Sequence, residues 1–134
     1  MASLKDIEGV GPVYAERLRG AGIGTTDALL KQGATPRGRK EMADKTGISH
    51  SLILEWVNHV DLFRVRGVQE EYADLLEEGG VDTVPELAQR NAEKLYQRLV
   101  EVNREKRLVR RLPARGDVAN WIEQARQLPR VITY

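Results

Sequence analysis

The chain has 134 residues, of which 31% are charged and 41% are hydrophobic, and its formal net charge is +1. These values are typical of a globular protein and exclude an overall basic field that would attract nucleic acid. The absence of cysteine excludes disulfides and thiolate metal sites. No apolar run reaches the roughly 18 residues of a membrane span. We therefore expect a cytoplasmic protein without a membrane partner.

An internal repeat organises the sequence. Residues 7–31 align without gaps to residues 65–89 at an offset of 58, and eight of the 25 aligned pairs are identical. The identical pairs are glycines, apolar residues and one threonine, which are the residue types that determine a backbone path. Gly9 and Gly67 are one such pair, and each opens a tight turn before a helix. The pattern therefore predicts two structurally related copies.

The two copies end alike but differ in length. The segment around Trp56 recurs around Trp121 at an offset of 65, so about seven residues are added inside the second copy. Both tryptophans have apolar neighbours at helical spacing, which favours core positions over base stacking. A unit of this size buries only a modest core, so we predict repeats 1–62 and 63–134 packed together as one domain.

Local signals predict helices along the whole chain. In the first copy, helices are expected to begin at Pro12, after Thr25, at Pro36 and after Ser49. A glycine at position 47 ends the third of them.

In the second copy, Thr83 and Glu86 have the spacing of a capping box. Asn91 is the expected N-cap of a helix that runs through Val102, and Asp117 is the expected N-cap of the last helix. No segment alternates with a period of two, so the predicted fold class is all-α.

The segment Ile7-Glu8-Gly9-Val10-Gly11 is the most specific functional signal. Two glycines allow a tight turn with exposed backbone amides directly before a helix N-terminus, where the helix dipole is positive. The pattern predicts that Gly9, Val10 and Gly11 bind the phosphate backbone of DNA or RNA without reading bases. The alternative is an interhelical turn that serves packing alone.

The equivalent turn in the second copy differs. Gln69 replaces the second glycine, and Glu70 and Glu71 follow in the first helical turn. Carboxylates at this position interact well with the helix dipole but repel phosphate. We therefore predict a structural role for the turn around Gly67.

Two basic clusters offer further phosphate contacts. The residues expected to add affinity are Arg37, Arg39 and Lys40 in the first copy and Arg107, Arg110 and Arg111 in the second. The second group belongs to residues 104–115, in which six basic residues accompany one acid. Three interpretations are open for this run: a phosphate surface, a dock for an acidic protein, and intramolecular pairing with acids of residues 69–86.

The sequence contains no recognisable catalytic motif. His50 and His59 are the only histidines, and both are expected on a helix surface. No phosphate loop, zinc-ligand spacing or dinucleotide-binding fingerprint is present. We expect no enzymatic activity, no cofactor and no metal site.

Several segments spread over nearly the whole chain carry a family resemblance. They are Gly9-Val10-Gly11, Tyr14-Ala15, Thr46-Gly47-Ile48, Trp56, residues 72–77, 80–84 and 86–88, and Leu108-Val109-Arg110-Arg111. As a set they resemble an uncharacterised bacterial family, domain of unknown function 4332. The resemblance implies a tandem helix-hairpin-helix fold, distantly similar to nucleic-acid-binding pairs of DNA repair proteins, and implies no demonstrated activity.

Two functions follow as hypotheses. The first is a non-catalytic module that binds nucleic acid independently of sequence through the first turn and the basic clusters. The second is a protein-interaction adaptor, or a homo-oligomerising scaffold, that keeps the fold without binding DNA. In the second case the basic run would meet an acidic protein or the acidic helix of another copy.

Overall fold

The structure is a computed structural model that describes residues 3–7 and 9–134. Glu8, which belongs to the predicted first turn, lies outside the described residues. The chain forms two units, one of Met1–Asp61 with Val131–Tyr134 and one of Leu62–Arg130. The segment 131–134, which the sequence repeat places in the second copy, thus belongs to the first unit.

The secondary structure of the described residues is helical, which confirms the all-α prediction. A one-turn 3-10 helix, Leu4–Asp6, precedes the α-helices. These are α1 (Pro12–Gly20), α2 (Thr26–Gly33), α3 (Pro36–Thr46), α4 (His50–Leu62), α5 (Glu70–Glu78), α6 (Val84–Ala88), α7 (Ala92–Lys106) and α8 (Arg115–Gln127). No strand occurs in the described chain, where Ser3 and Thr25 form an isolated bridge. None of these helices is both long and apolar enough to cross a membrane.

The helix starts of the first unit follow the local signals. The hydroxyl of Thr25 accepts a hydrogen bond from the amide of Ala28 at 3.1 Å. Ser49 accepts from the amide of Leu52 at 3.3 Å. Such bonds satisfy amides that have no acceptor inside the helix. Gly47 ends α3 with a φ of 73°, as predicted.

The second unit corrects two capping predictions. Asn91 caps α7 as predicted, because its side-chain oxygen accepts from the amide of Lys94 at 3.0 Å. Asp117 is not an N-cap, since α8 begins two residues earlier; its carboxylate instead accepts from the amide of Ala114 at 2.9 Å. The capping box at Thr83 is also incomplete, because the Thr83 side chain makes no capping hydrogen bond.

Each unit has its own apolar core. The first unit buries Leu4, Ile7, Val10, Leu18, Ile23, Leu29, Met42, Ile53, Trp56, Val57 and Ile132. The second buries Leu62, Val65, Val68, Leu75, Leu76, Val84, Leu87, Leu95, Leu99, Val118, Trp121 and Ile122. The prediction that both tryptophans are core residues is confirmed.

The turns before α1 and α5 have matching backbone hydrogen bonds. The amide of Val10 donates to the carbonyl of Ile7 at 3.1 Å, and the amide of Val68 donates to that of Val65 at 3.1 Å. These residue pairs are 58 positions apart, which is the offset of the sequence repeat. The recurrence shows that the repeated residues adopt the same local turn twice.

Gly38 marks a close approach of α2 and α3. A Cβ at this position would lie 1.9 Å from the carbonyl oxygen of Gln32. Since that oxygen belongs to the backbone, it moves only if a helix shifts. We expect Gly38→Ala to lower the free energy of unfolding by about 3 kcal/mol, as measured by urea denaturation.

Gly116 supplies the matched control, because a Cβ there would meet no described atom within 4 Å. Alanine is the better helix former, so Gly116→Ala should raise the free energy of unfolding by up to about 1 kcal/mol. Similar small effects of both substitutions would contradict the close approach at Gly38.

Candidate functional site

The turn that leads into α1 contains backbone amides that have no acceptor inside the helix. Gly11 is the N-cap of α1 and, as a glycine, has no side chain that could cap the helix. Gly9, Gly11 and Pro12 are exposed, and a Cβ at Gly11 would meet no described atom within 4 Å. The first amides of a helix have no acceptor inside the helix. Those of Gly11, Val13 and Tyr14 are therefore available to an acceptor from outside the protein. Pro12 has no amide hydrogen to add.

Val10 does not fit the role predicted for it. Its side chain is buried, and its amide donates to the carbonyl of Ile7 within the turn. The amides suited to an anion are therefore shifted toward α1, to Gly11 and the first residues after Pro12. The glycine pattern identified the turn correctly, but the hydrogen bond that closes the turn uses one of its amides.

The two turns differ in the acidic residues that follow them. The first turn of α1 contains no acidic residue, whereas that of α5 contains Glu70 and Glu71. An open pocket beside the second turn is lined by Gly67, Gln69, Glu70, Glu71 and Tyr72. Its carboxylates would repel a phosphate. Of the two turns, the one before α1 has no carboxylate of this kind among the described residues.

The three cations predicted on α3 divide into two exposed residues and a buried one. Arg37 and Lys40 are exposed, and Arg37 lies 3.5 Å from Glu41. Arg39 is only 2% exposed, so the prediction that it contacts phosphate is wrong. The helical period places Arg39 three residues before the buried Met42 on one face of α3, which is the signal that indicates its burial.

Arg39 is a structural residue that binds the C-terminal segment. Its guanidinium donates to the carbonyls of Gly33 and Thr133, each at 2.8 Å. It also lies 5.6 Å from the ring centre of Tyr134. Burial lowers the pKa of Arg39 below its usual value, and the interaction with Tyr134 partly opposes this change. The two carbonyls and the ring compensate in part for the solvation that the guanidinium loses.

The basic run of the second unit extends from the end of α7, through the link of residues 107–114, to the first residue of α8. Arg107, Arg110 and Arg111 are all exposed. The backbone of this link is held by Asn103, whose side chain accepts from the amide of Val109 at 2.9 Å and donates to its carbonyl at 3.2 Å.

Intramolecular pairing accounts for only part of the basic run. Lys106 forms an ion pair with Glu78, which lies among the acids considered for this role. Arg115 pairs with Glu93 at 3.1 Å and stacks over the ring of Tyr96 at 4.5 Å. The pKa of Glu93 is lowered, mainly because its carboxylate accepts a hydrogen bond from Gln97 and secondly because it contacts Arg115.

The remaining arginines of the link are different. Within residues 3–7 and 9–134, no acidic side chain lies within ion-pairing distance of Arg107, Arg110 or Arg111. The interpretation in which the whole run is neutralised internally therefore does not hold for these three.

The two histidines also differ from each other. His50 is exposed at the start of α4, as expected, but His59 is 3% exposed. The expectation of a surface position is therefore wrong for His59. Trp56, three residues earlier on the same face of α4, is a core residue, so His59 lies on the buried face of the helix.

A family model described as a domain of unknown function (DUF4332) matches residues 8–128. The chain belongs to this family. No curated protein and no solved structure matches this chain. The DUF4332 match includes both the turn before α1 and the link between α7 and α8, and the family description assigns neither of them an activity.

Within the DUF4332 chain, the predicted site residues fall into two separate sets. Gly9, Gly11, Arg37 and Lys40 belong to the first unit, and the three exposed arginines of the α7–α8 link belong to the second. The sets also differ in chemistry, because the first offers backbone amides and the second guanidinium groups. Each is therefore considered by itself.

Proposed function

We propose that this protein is a non-catalytic module that binds the backbone of nucleic acid, independently of base sequence, through the turn before α1. The observation that carries the proposal is the open N-terminus of α1, with three amides available and no acid in its first turn. The equivalent helix α5 also has no side-chain cap, but it carries Glu70 and Glu71 in its first turn, where they would repel a phosphate. We further propose that each turn, with the short helix before it and the α-helix after it, is a helix-hairpin-helix element.

The chemistry of such a site is simple. Phosphate oxygens accept hydrogen bonds from the amides of Gly11, Val13 and Tyr14, and the positive end of the helix dipole adds attraction. Glycine at position 11 leaves space for a sugar-phosphate chain. Because every nucleotide carries the same phosphate, these contacts position the ligand without selecting a sequence.

Cations on the neighbouring helix α3 supply the longer-range attraction. Arg37 and Lys40 are exposed in the same unit as the turn. With few phosphate contacts and a net charge of +1, affinity should be modest, in the micromolar range, and should fall steeply with salt.

Fluorescence anisotropy with labelled duplex and single-stranded DNA, at low and moderate salt, tests the proposal. We expect Gly11→Glu to weaken binding by about tenfold or more, since a carboxylate would occupy the phosphate position. Gln69 is the equivalent residue of the second copy, so Gln69→Glu adds the same charge at the other turn and should have little effect. An unlabelled RNA competitor of equal length compares DNA with RNA.

The possible outcomes are clear. Salt-sensitive binding that is lost in Gly11→Glu and kept in Gln69→Glu supports the proposal. Absence of binding by the wild-type protein at low salt refutes it, and equal losses in both variants would show that total charge is responsible.

The second candidate is a protein-interaction adaptor or a homo-oligomerising scaffold. It is favoured by Val13, a large apolar side chain that is 66% exposed at the start of α1. The near-neutral net charge is also compatible with a protein partner. Concentration-dependent self-association in light scattering, together with absence of DNA binding, would favour this function.

A further inference from the structure

The links that join the last two helices of each unit are built differently. Residues 47–49 join α3 to α4, whereas residues 107–114 join α7 to α8. In the first link, Gly47 ends the helix with a φ of 73°. In the second, Arg107 has the same left-handed conformation, with a φ of 52°. A side chain other than glycine is disfavoured there, so this arginine is not explained by backbone stability.

The longer link is held in place at two points. Asn103 accepts from the amide of Val109 and donates to its carbonyl, and the side chain of Val109 is 7% exposed. Two residues later, the carbonyl of Arg111 accepts a hydrogen bond from the hydroxyl of Tyr72 at 3.0 Å. The backbone is thus ordered on both sides of Arg110, and the guanidinium groups extend from a fixed path.

The charges on this link are compensated at its ends and not in its middle. Lys106 and Arg115 pair with Glu78 and Glu93. In the described part of the chain, Arg107, Arg110 and Arg111 have no acidic partner. They lie close together in sequence, so their positive charges repel one another. A ligand with several negative charges relieves this repulsion, and the planar fork of arginine matches phosphate oxygens.

We propose that the link of residues 107–114, with Arg107, Arg110 and Arg111, is a second phosphate-binding element for the nucleic-acid backbone. The choice of ligand rests on the proposed function, but the residues and the unit are different. Phosphate is bound here by guanidinium groups, in the unit whose turn carries Glu70 and Glu71 and is unsuited to anions. An acidic protein surface is the competing ligand.

The test uses the full chain and the same labelled DNA. We expect the double substitution Arg110→Glu/Arg111→Glu to weaken binding by about tenfold or more and to reduce the slope of log K against log salt by roughly 2, because two phosphate contacts are lost. The matched control is Lys94→Glu/Arg98→Glu, which makes the same change of net charge at exposed positions of α7. It should leave the salt slope close to that of the wild type.

A second variant separates binding from structure. Arg107→Gly removes one charge and also the strain of the left-handed conformation. DNA affinity should therefore fall while the melting temperature stays equal or rises. A fall of both together would show that Arg107 has a structural role and would count against the proposal.

The outcomes distinguish this proposal from the proposed function. Loss of binding in Gly11→Glu with unchanged binding in the double arginine variant overturns the second site and leaves the first. The reverse pattern retains the second site and overturns the first. Absence of wild-type binding overturns both, and arginine-dependent binding of a labelled poly-glutamate peptide without binding of DNA would identify an acidic protein as the ligand.

Discussion

Replacing Trp56 by alanine is expected to lower the free energy of unfolding by roughly 3–5 kcal/mol. The indole is 1% exposed, and its ring centre lies 5.2 Å from that of Tyr14 on α1. Its nitrogen would lie 3.6 Å from a Cβ at Gly9, so the indole directly supports the first turn. Alanine would leave a cavity beneath the turn that neighbouring side chains fill only in part. Urea denaturation followed by circular dichroism measures the loss.

The second unit supplies an internal comparison for this prediction. Trp121 is 3% exposed, its ring centre lies 5.3 Å from that of Tyr72, and its nitrogen would lie 3.0 Å from a Cβ at Gly67. Trp121→Ala should therefore destabilise the protein by a similar amount. A loss near zero for either variant would contradict the burial of that tryptophan and would reopen base stacking as its role.

Replacing Arg39 by methionine is expected to lower the free energy of unfolding by about 2–3 kcal/mol. Methionine retains much of the buried volume but removes the hydrogen bonds to the carbonyls of Gly33 and Thr133. The amide of Thr133 donates to the carbonyl of Ala34 at 2.7 Å, so this bond should open more often. Hydrogen exchange at Thr133 should then accelerate.

Arg37 on the same helix is the control for this substitution. Its side chain is 90% exposed, so Arg37→Met should change the free energy of unfolding by less than about 0.5 kcal/mol. The two variants should also differ in DNA binding: Arg37→Met should weaken it, and Arg39→Met should leave the affinity of the folded protein unchanged. Unaltered stability and exchange in Arg39→Met would show that the C-terminal segment is held by other contacts.

The sequence determined the features that depend on neighbouring residues. Thr25, Ser49 and Asn91 cap helices as predicted, because each side chain bonds to an amide only three residues away. The repeat of Gly9 at Gly67 likewise predicted a turn that occurs twice, with φ values of 88° and 96°. Left-handed conformations at these positions are a local property of glycine.

Helix beginnings without a capping side chain were harder to predict. Asp117 has the residue type of an N-cap, yet α8 begins after Ala114, and the Asp117 carboxylate bonds back to the Ala114 amide. A carboxylate at the third position and one at the cap both satisfy a free amide. The sequence therefore predicted the helix and the carboxylate that satisfies a free amide, but not the residue at which the helix begins.

The tertiary structure decided which charged residues face solvent. Arg37 and Arg39 belong to the same basic cluster, but only Arg39 is covered, by a segment that includes Thr133, 94 residues away. Similarly, Arg115 is paired with Glu93, while Arg110 in the same run has no described acidic partner. The physical reason is that capping and turn formation involve atoms a few residues apart, whereas burial and ion pairing depend on which distant segments the fold brings alongside.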